Sequence, residues 1–213
     1  MKIIAVGAHL DDIELACGGT LAKAVQNGHQ VKMVVMTDSA YTNFDGKVLR
    51  TKAEALAEGL AAAKALGITD VEILDFPIKD VPYNSKTVEA IDKIFTEYDP
   101  ELIFAHWTAD THQDHHRTAL ATISAARYKN NIIMFEPFPP SGRSYVPFRP
   151  QIYSDISGVM DTKIESLKQH ESQYKKYGEN WIEAMVGRAR LRGFESNNKY
   201  AEVFEIVRFD LNL

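Results

Sequence analysis

Short apolar runs alternate with amphipathic stretches over residues 1–135 of the chain. Each apolar run is bounded by polar or turn-forming residues, which is typical of strands buried in a sheet. The runs predicted as strands are residues 2–7, 31–36, 71–74, 102–106 and 131–135. The stretches between them place apolar side chains at helical spacing, and they predict helices over residues 13–27, 52–66, 87–95 and 117–127.

Strands that alternate with helices of this length predict a Rossmann-like α/β fold, with a mostly parallel β-sheet and helices on both faces. Such sheets bind ligands beyond the carboxyl ends of their strands, so the active site is expected there. The pattern changes after residue 135. A proline-rich stretch over residues 136–150 predicts a long surface loop and a wall of the active site. Residues 160–177 and 181–192 predict two helices, and residues 200–208 predict a last strand, antiparallel at an edge.

The composition predicts one domain that spans residues 1–213. The chain is 45% hydrophobic and 25% charged, and it has no apolar run near the roughly 20 residues that a membrane span needs. Because its start also lacks a signal-peptide pattern, the protein is expected to be cytoplasmic. The net charge of -5 disfavours nucleic acid as a partner. One basic cluster, Arg188, Arg190 and Arg192, is interpreted as a solvated helix face.

A first polar cluster follows the first predicted strand. The sequence Ala-His-Leu-Asp-Asp places His9, Asp11 and Asp12 at a strand-to-helix turn. An imidazole and two carboxylates at the end of a buried strand carry a high desolvation cost unless a cation lies among them. The alternative is that one aspartate only caps the following helix. Capping accounts for a single aspartate, so a divalent cation site is the preferred interpretation.

A second polar cluster follows the fourth predicted strand. Residues 106–116, HWTADTHQDHH, hold His106, His112, His115 and His116. If a helix begins near residue 114, His112 and His115 can both reach the crevice at the strand ends. His106 and His116 are interpreted as hydrogen-bonded side chains without a role as ligands.

The two clusters are predicted to converge on one metal site, because both follow strands of the same sheet. The only cysteine, Cys17, excludes an internal disulfide and a thiolate cluster, so the ligands must be His and Asp. Two histidines and one aspartate would leave positions open for water and substrate, as catalytic zinc requires. The remaining carboxylate and histidine have the chemistry of a general base and of an oxyanion stabiliser or general acid.

These residues resemble the motifs of the LmbE-like, PIG-L-type zinc-dependent de-N-acetylases, which act on N-acetylglucosamine-containing substrates. Residues 8–12 with Gly18 and Gly19 resemble the first family motif, a small residue or Pro, then His-Pro-Asp-Asp and a Gly pair. Residues 112–115 match the second motif, His-x-Asp-His. Lys163 with His170, and the closing Tyr-Ala-Glu-Val-Phe, are weaker similarities.

Two segments depart from the family pattern. Leu10 stands where proline is usual, which removes no ligand. Residues 76–80, Phe-Pro-Ile-Lys-Asp, differ from the Pro-Asp-Gly type of sequence expected after the third strand. Contacts of that segment with a substrate are therefore not assigned from the resemblance.

The resemblance implies the metal ligands and the base. His9, Asp12 and His115 would bind zinc, and Asp11 would act as the general base. Zinc is the expected cofactor, and Fe(2+) or another divalent ion would also suit a site of His and Asp.

The resemblance also implies how the substrate is handled. His112 would polarise the amide carbonyl or protonate the leaving amine, and Asp114 would orient a histidine. Arg50 is a candidate contact for the substrate. The implied reaction is hydrolysis of the N-acetyl group of an N-acetylglucosamine-type sugar or its conjugate, which releases acetate and a free amine. The expected partner is thus a small amino sugar, and the aromatic residues around 135–148 suit either a substrate wall or a homo-oligomer contact.

Two other functions stay open at this point. Residues 114–116, Asp-His-His, spell the motif of DHH-type manganese phosphoesterases, although too few carboxylates accompany it for a manganese cluster. A non-catalytic nucleotide-binding module of Rossmann-like fold is the second alternative. The turn after the first strand is not the G-x-G-x-x-G turn that binds a pyrophosphate, which disfavours this function.

Overall fold

The computed structural model describes residues 1–210, which form a seven-stranded sheet flanked by helices and a separate two-stranded hairpin. The strands are, in chain order, β1 (Lys2–Gly7), β2 (Gln30–Thr37), β3 (Tyr41–Thr42), β4 (Val48–Arg50), β5 (Asp70–Phe76), β6 (Leu102–Ala105), β7 (Ile132–Phe135), β8 (Ile152–Asp155) and β9 (Ala201–Arg208). The helices are α1 (Asp12–Gln26), α2 (Lys52–Ala65), α3 (Ser85–Tyr98), α4 (Gln113–Ala125), α5 (Met160–Lys168), α6 (Glu171–Tyr177) and α7 (Glu179–Glu195). Within residues 1–210, no helix is long and apolar enough to cross a membrane.

The main sheet has the strand order β5-β2-β1-β6-β7-β9-β8. The first five of these strands run parallel, which confirms the predicted mostly parallel sheet. β9 pairs antiparallel with β7 and with β8. The prediction of an antiparallel last strand is therefore confirmed, but its placement at the edge is wrong, because the four-residue β8 pairs outside it.

Helices cover both faces of this sheet. Side chains alternate between the two faces along a strand, and in β1 this alternation divides the apolar residues between two cores. Ile3 and Ala5 pack in the core beneath α1, α2, α5 and α7, whereas Ile4 and Val6 pack in the core beneath α3 and α4. The strands are apolar on both sides for this reason, as parallel strands buried on two faces must be.

The chain bends between α5 and α6, where the sequence predicted one continuous helix over residues 160–177. The bend occurs at His170, whose backbone has φ -78° and ψ 65°. The imidazole of His170 is completely buried and lies within hydrogen-bond distance of Arg50 and Glu14. The apolar spacing of residues 160–177 does not reveal these partners, since both are distant in sequence.

A buried ion pair fastens α1 to the rest of the molecule. The Glu202 carboxylate of β9 accepts hydrogen bonds from the amides of Gly19 (2.9 Å) and Thr20 (2.7 Å) inside α1. Lys163 of α5 contacts Glu202 and donates to the carbonyl of Leu15 at 2.8 Å. We call the Lys163–Glu202 pair with these α1 contacts the α1 clamp. A Cβ on Gly19 would lie 2.9 Å from Ile156, so glycine permits this close approach.

Candidate metal and catalytic site

The two polar clusters meet at the carboxyl ends of β1 and β6, which are neighbouring strands. A cavity of about 580 Å³ opens at this edge of the sheet. Residues from both clusters line it, together with residues 135–141 and side chains of α6 and α7. The cavity lies where the active site was predicted, and the proline-rich loop forms part of its lining.

His9, Asp12 and His115 bring three donor groups together in this cavity. The Nδ1 atom of His9 lies 3.4 Å from the Asp12 carboxylate and 3.2 Å from Nε2 of His115. Nε2 of His115 lies 3.2 Å from the other carboxylate oxygen of Asp12. A tetrahedral ion with bonds of about 2.0–2.1 Å holds its ligands roughly 3.4 Å apart. The spacing and the chemistry of this donor triad therefore fit a divalent metal.

Each histidine of the donor triad carries a carboxylate on its other ring nitrogen. Nε2 of His9 lies 3.1 Å from Asp114, and Nδ1 of His115 lies 3.0 Å from Asp110. Carboxylates in this position orient metal-binding imidazoles and fix their tautomers. The sequence analysis missed Asp110, although its place two residues before His112 in the same motif was a usable signal.

The local electrostatics favour positive charge among these groups. Burial alone lowers the pKa of His9, but attraction by Asp12 and Asp114 carries it to about 9. Asp12 and Asp110 likewise raise the pKa of His115 to about 10, against the effect of burial. Burial acts to raise the pKa of Asp12, yet the surrounding histidines hold it well below its ordinary value.

Asp12 is fixed by the turn that follows β1. One of its carboxylate oxygens accepts hydrogen bonds from the amides of Ala8 (3.1 Å) and His9 (2.7 Å). The turn therefore folds back onto Asp12, the first residue of α1. The other carboxylate oxygen of Asp12 faces His115. These contacts explain why His9 and Asp12 can bind one ion although they lie only three positions apart in the sequence.

The other two histidines of the second cluster both make hydrogen bonds, but they differ in their distance from the donor triad. His106 is buried, and its Nε2 atom lies 3.0 Å from the amide of Ala8. Its ring stacks on the ring of His115 with 4.3 Å between centroids, and this contact helps to fix the position of His115 in the donor triad. His116 is bonded to the carbonyl of Thr108 at 2.6 Å.

Among residues 1–210, two sets of donors lie close enough together to hold a metal ion, His9 with His112 and His115, and Asp12 with His106 and His115. The donor triad takes its members from both sets, and His106 lies 3.2 Å from Asp12. His116 belongs to neither set, so the Asp-His-His motif does not assemble as a unit.

Asp11 stands beside the donor triad with an unusual backbone. It precedes α1 with φ 148°, a conformation that favours glycine, and its side chain makes no capping hydrogen bond. The capping alternative is therefore wrong for Asp11. Burial and repulsion by Asp12 raise its pKa to about 6, partly offset by His170 and Arg50. Asp11 is one of the residues that line the cavity.

His112 lies at the start of α4 and faces His9 and His115. Its Nδ1 atom accepts a hydrogen bond from the amide of Asp114 at 3.2 Å, so it also caps the helix. Burial, together with the nearby His115 and His9, lowers the pKa of His112 to about 4. The imidazole is thus neutral at pH 7, with its hydrogen on Nε2.

Arg50 borders the same cavity but is already engaged by the protein. It is 3% exposed, and its guanidinium donates to the carbonyl of Leu10 at 3.0 Å. Its second terminal nitrogen lies 2.9 Å from Glu58 and 3.2 Å from His170. The Nε atom has no hydrogen-bond partner among the described residues. Arg50 therefore holds the peptide that precedes Asp11, and one of its donors stays free.

The basic cluster of α7 supports the cavity wall. Arg188 donates to the carbonyls of Pro137 (2.9 Å) and Leu15 (3.1 Å), and Arg192 pairs with Glu136. The interpretation as a solvated face is wrong for these two arginines, because both reach the proline-rich loop. Arg190 is exposed, as that interpretation predicted.

A family model described as PIG-L, GlcNAc-PI de-N-acetylase, matches residues 4–126. The matched segment is more than half of the 213-residue chain and contains both polar clusters. The chain belongs to the PIG-L family. The resemblance deduced from the two motifs is thereby confirmed.

Similar proteins align with 80% or more of this PIG-L chain. Diacetylchitobiose deacetylase of Thermococcus kodakarensis is 26% identical, with 97% of this chain and 83% of the relative covered. The uncharacterized deacetylase YaiS of Escherichia coli K12 is 31% identical, with 80% of this chain and 90% of the relative covered. The structure of 4-carboxy-2-hydroxymuconate hydratase from Pseudomonas putida KT2440 has a TM-score of 0.81 at 21% identity, covering 100% of this chain and 99% of that one. The last similarity shows the fold alone.

Proposed function

We propose that this PIG-L chain is a metal-dependent deacetylase that hydrolyses the N-acetyl group of an N-acetylglucosamine-type sugar or its conjugate. The observation that carries the proposal is the donor triad of His9, Asp12 and His115, with Asp11 lining the same cavity. The names of the two deacetylase relatives support the same reaction.

The donor triad would hold the metal, and zinc is the ion we propose. Two imidazoles and one carboxylate suit zinc and leave positions for water and substrate. When bound, the ion supplies Lewis-acid chemistry, which polarises a carbonyl and increases the acidity of water. Asp114 and Asp110 would keep the imidazoles of His9 and His115 oriented toward it.

Asp11 would act as the general base. A base must be partly ionised at the working pH and must reach the proton that it removes. The pKa of about 6 keeps its carboxylate ionised at pH 7 while leaving it more basic than an ordinary aspartate. Asp11 would accept the proton of the attacking water, and it could then return that proton to the leaving amine.

His112 would stabilise the oxyanion that forms at the acetyl carbonyl. Because the amide of Asp114 occupies Nδ1, the Nε2 hydrogen is available for donation. The imidazole of His112 is neutral and is held in place at the N-terminus of α4. It could therefore donate a hydrogen bond to the negative charge that develops on the acetyl oxygen without first changing its own orientation. This geometry favours oxyanion stabilisation over direct protonation of the amine. Arg50, which lines the cavity, is the candidate contact for a substrate oxygen.

The proposal is tested by acetate release from N-acetylglucosamine, N,N'-diacetylchitobiose and anionic N-acetylglucosamine conjugates, using zinc-loaded protein with and without a chelator. We expect acetate from at least one substrate, loss of activity with the chelator and recovery with added zinc. A metal-loaded protein that releases no acetate would contradict the proposal. Hydration of 4-carboxy-2-hydroxymuconate, or cleavage of a phosphodiester with manganese, would then assign the reaction instead.

A further inference from the structure

Four polar side chains form a connected chain behind the turn that carries Asp11. They are Glu58, Arg50, His170 and Glu14, and we call them the Arg50 network. Nη2 of Arg50 lies 2.9 Å from the Glu58 carboxylate and 3.2 Å from Nδ1 of His170. Nε2 of His170 lies 3.2 Å from the Glu14 carboxylate. Arg50, His170 and Glu14 are at most 3% exposed, so these contacts are shielded from water.

His170 is the one member of the Arg50 network that can both accept and donate a hydrogen bond. Arginine carries only donors, so Nδ1 of His170 must accept the hydrogen of Arg50. The hydrogen of the neutral imidazole then lies on Nε2, where it donates to Glu14. Both ring nitrogens are therefore used by the protein itself. His170 is not among the described residues that line the cavity, so no contact with a substrate is assigned to it.

Arg50 connects His170 to the backbone before Asp11. Nη2 of Arg50 carries two hydrogens and lies within hydrogen-bond distance of two acceptors, Glu58 and His170. Because the guanidinium is planar and rigid, fixing Nη2 also fixes the direction of Nη1. Nη1 donates to the carbonyl of Leu10 at 3.0 Å. That carbonyl belongs to the peptide plane between Leu10 and Asp11, and rotation of this plane changes the φ angle of Asp11.

We propose that His170 is a positioning residue that fixes Arg50 and thereby holds Asp11 in its strained backbone conformation. The φ of Asp11 is 148°, a value that costs free energy and persists only where neighbouring groups impose it. The amide of Leu10 donates to Ser39 at 2.8 Å, so the residue before Asp11 is held from a second side. The inference rests on the proposed function in one respect, which is that the positioned side chain serves as the general base.

Two substitutions separate the two hydrogen bonds of His170. In His170→Asn the side-chain carbonyl oxygen takes the place of Nδ1 and can accept from Arg50, but nothing donates to Glu14. In His170→Gln the longer side chain places its NH2 group near the position of Nε2 and donates to Glu14, but Arg50 loses this acceptor. The proposal requires only the contact with Arg50, so Asn should rescue the function that Gln loses.

Stability and activity should change in opposite orders in the two variants. One carboxylate oxygen of Glu14 already has no partner among the described residues, so His170→Asn leaves a buried carboxylate unpaired and should lower the melting temperature more. His170→Gln should lower it less, because Nη2 of Arg50 keeps Glu58. For acetate release by the zinc-loaded protein, we expect kcat to fall by about 10- to 100-fold in His170→Gln and to stay within about twofold in His170→Asn. Activity losses that follow the melting temperatures overturn the proposal, because a purely structural role predicts that order.

Ser166→Ala is the matched control for the loss of a buried hydrogen bond. Ser166 is buried in α5, and its hydroxyl donates to the carbonyl of Ala62 at 2.9 Å. Among the described residues it makes no hydrogen bond to the Arg50 network. The control should lower the melting temperature and keep kcat and zinc content. A loss of kcat in Ser166→Ala equal to that in His170→Gln overturns the proposal.

Crystal structures of the zinc-loaded parent and variants separate this inference from the proposed function. They measure the distance from Nη1 of Arg50 to the carbonyl of Leu10 and the φ angle of Asp11. Both should be kept in His170→Asn, and both should change in His170→Gln. An unchanged φ in His170→Gln overturns the proposal whatever the activity. If the parent protein releases no acetate, the proposed function fails, and the φ of Asp11 in the two variants still decides whether His170 positions this residue.

Discussion

Asp11 combines a glycine-like backbone with a partly buried side chain next to Asp12 of the donor triad. Its φ of 148° is held from one side by Arg50, which binds the preceding carbonyl, and from the other by the start of α1. Strained residues persist only where the surrounding structure determines their conformation, and they concentrate at functional sites. The strain therefore supports a catalytic role for Asp11. From its position in the sequence alone, this role could not be distinguished from helix capping.

Replacing Asp11 with Asn should remove the base and keep the metal. We expect kcat to fall by about 10²- to 10⁴-fold, the usual contribution of general acid–base catalysis. Zinc content, measured by mass spectrometry of the dialysed protein, should stay near that of the parent. His9→Ala and His115→Ala are the matched controls, and both should lose zinc as well as activity. Normal turnover in Asp11→Asn would assign the base to another residue.

The same substitution should stabilise the chelator-treated protein at neutral pH. The folded-state pKa of about 6 lies above the ordinary value of 3.8, so folding disfavours ionised Asp11. The resulting destabilisation is absent below pH 3.8, grows between pH 3.8 and about 6, and is complete above that range. Urea unfolding at several pH values should show Asp11→Asn gaining stability over the parent across this window. A constant difference from pH 3.5 to pH 7 would contradict the raised pKa.

At the scale of secondary structure, the continuity of the apolar runs decided which strands the sequence could predict. Strands β1, β2 and β5 to β7 were predicted because their apolar runs are continuous and are flanked by helices of clear period. The strands of the β3–β4 hairpin have two and three residues, too few to show a period. The edge strand β8, Ile-Tyr-Ser-Asp, is as long as β6 and β7 but is not a continuous apolar run. Their positions depend on contacts with distant segments, such as the pairing of Ile152 with Phe204.

The same limit applies to polar contacts between elements. The two motifs identified the donor triad, because their residues are close in sequence and follow neighbouring strands. The contacts of Arg188 with Leu15 and Pro137 join residues that are far apart in the chain. A helix-face pattern cannot distinguish such an arginine from a solvated one.

The α1 clamp should contribute strongly to stability through α1, α5 and β9. Lys163 and Glu202 are both buried, and removing one partner of a buried ion pair typically costs about 3–5 kcal/mol. We expect losses of this size for Lys163→Met and for Glu202→Gln in denaturant unfolding. The double variant should lose less than the sum of the single losses, because no charge is left unpaired. Additive losses would show that the two side chains act independently.

At the scale of the whole molecule, a metal would join two segments that are distant in sequence. Its ligands come from the turn after β1 and from the start of α4, so a bound ion links both halves of the parallel sheet. The histidine pair and its carboxylates are preformed, which lowers the cost of ordering them on binding. Because folding brings these distant ligands together, metal binding and folding are expected to be coupled.

Removing the metal should lower the melting temperature. A ligand that binds only the folded state at about 100 times its Kd adds about 2.7 kcal/mol. For a chain of this size this corresponds to roughly 5–10 °C. Calorimetric scans of zinc-loaded and chelator-treated protein measure the shift, and His115→Ala should show no such response. Equal melting temperatures for both forms of the parent protein would argue against a tight site.

The boundary of the family match has a consequence for how such enzymes diversify. The segment 4–126 contains the whole donor triad, whereas the proline-rich wall and the residues of α6 and α7 that line the cavity lie beyond it. Under the proposed function, the metal ligands and part of the cavity wall are thus encoded in separate stretches of one gene, while Arg50 lies in the first stretch. Mutations in the later stretch can explore new substrates while the inherited reaction centre is conserved. A library confined to residues 136–141 and 173–181 would be a direct route to altered selectivity.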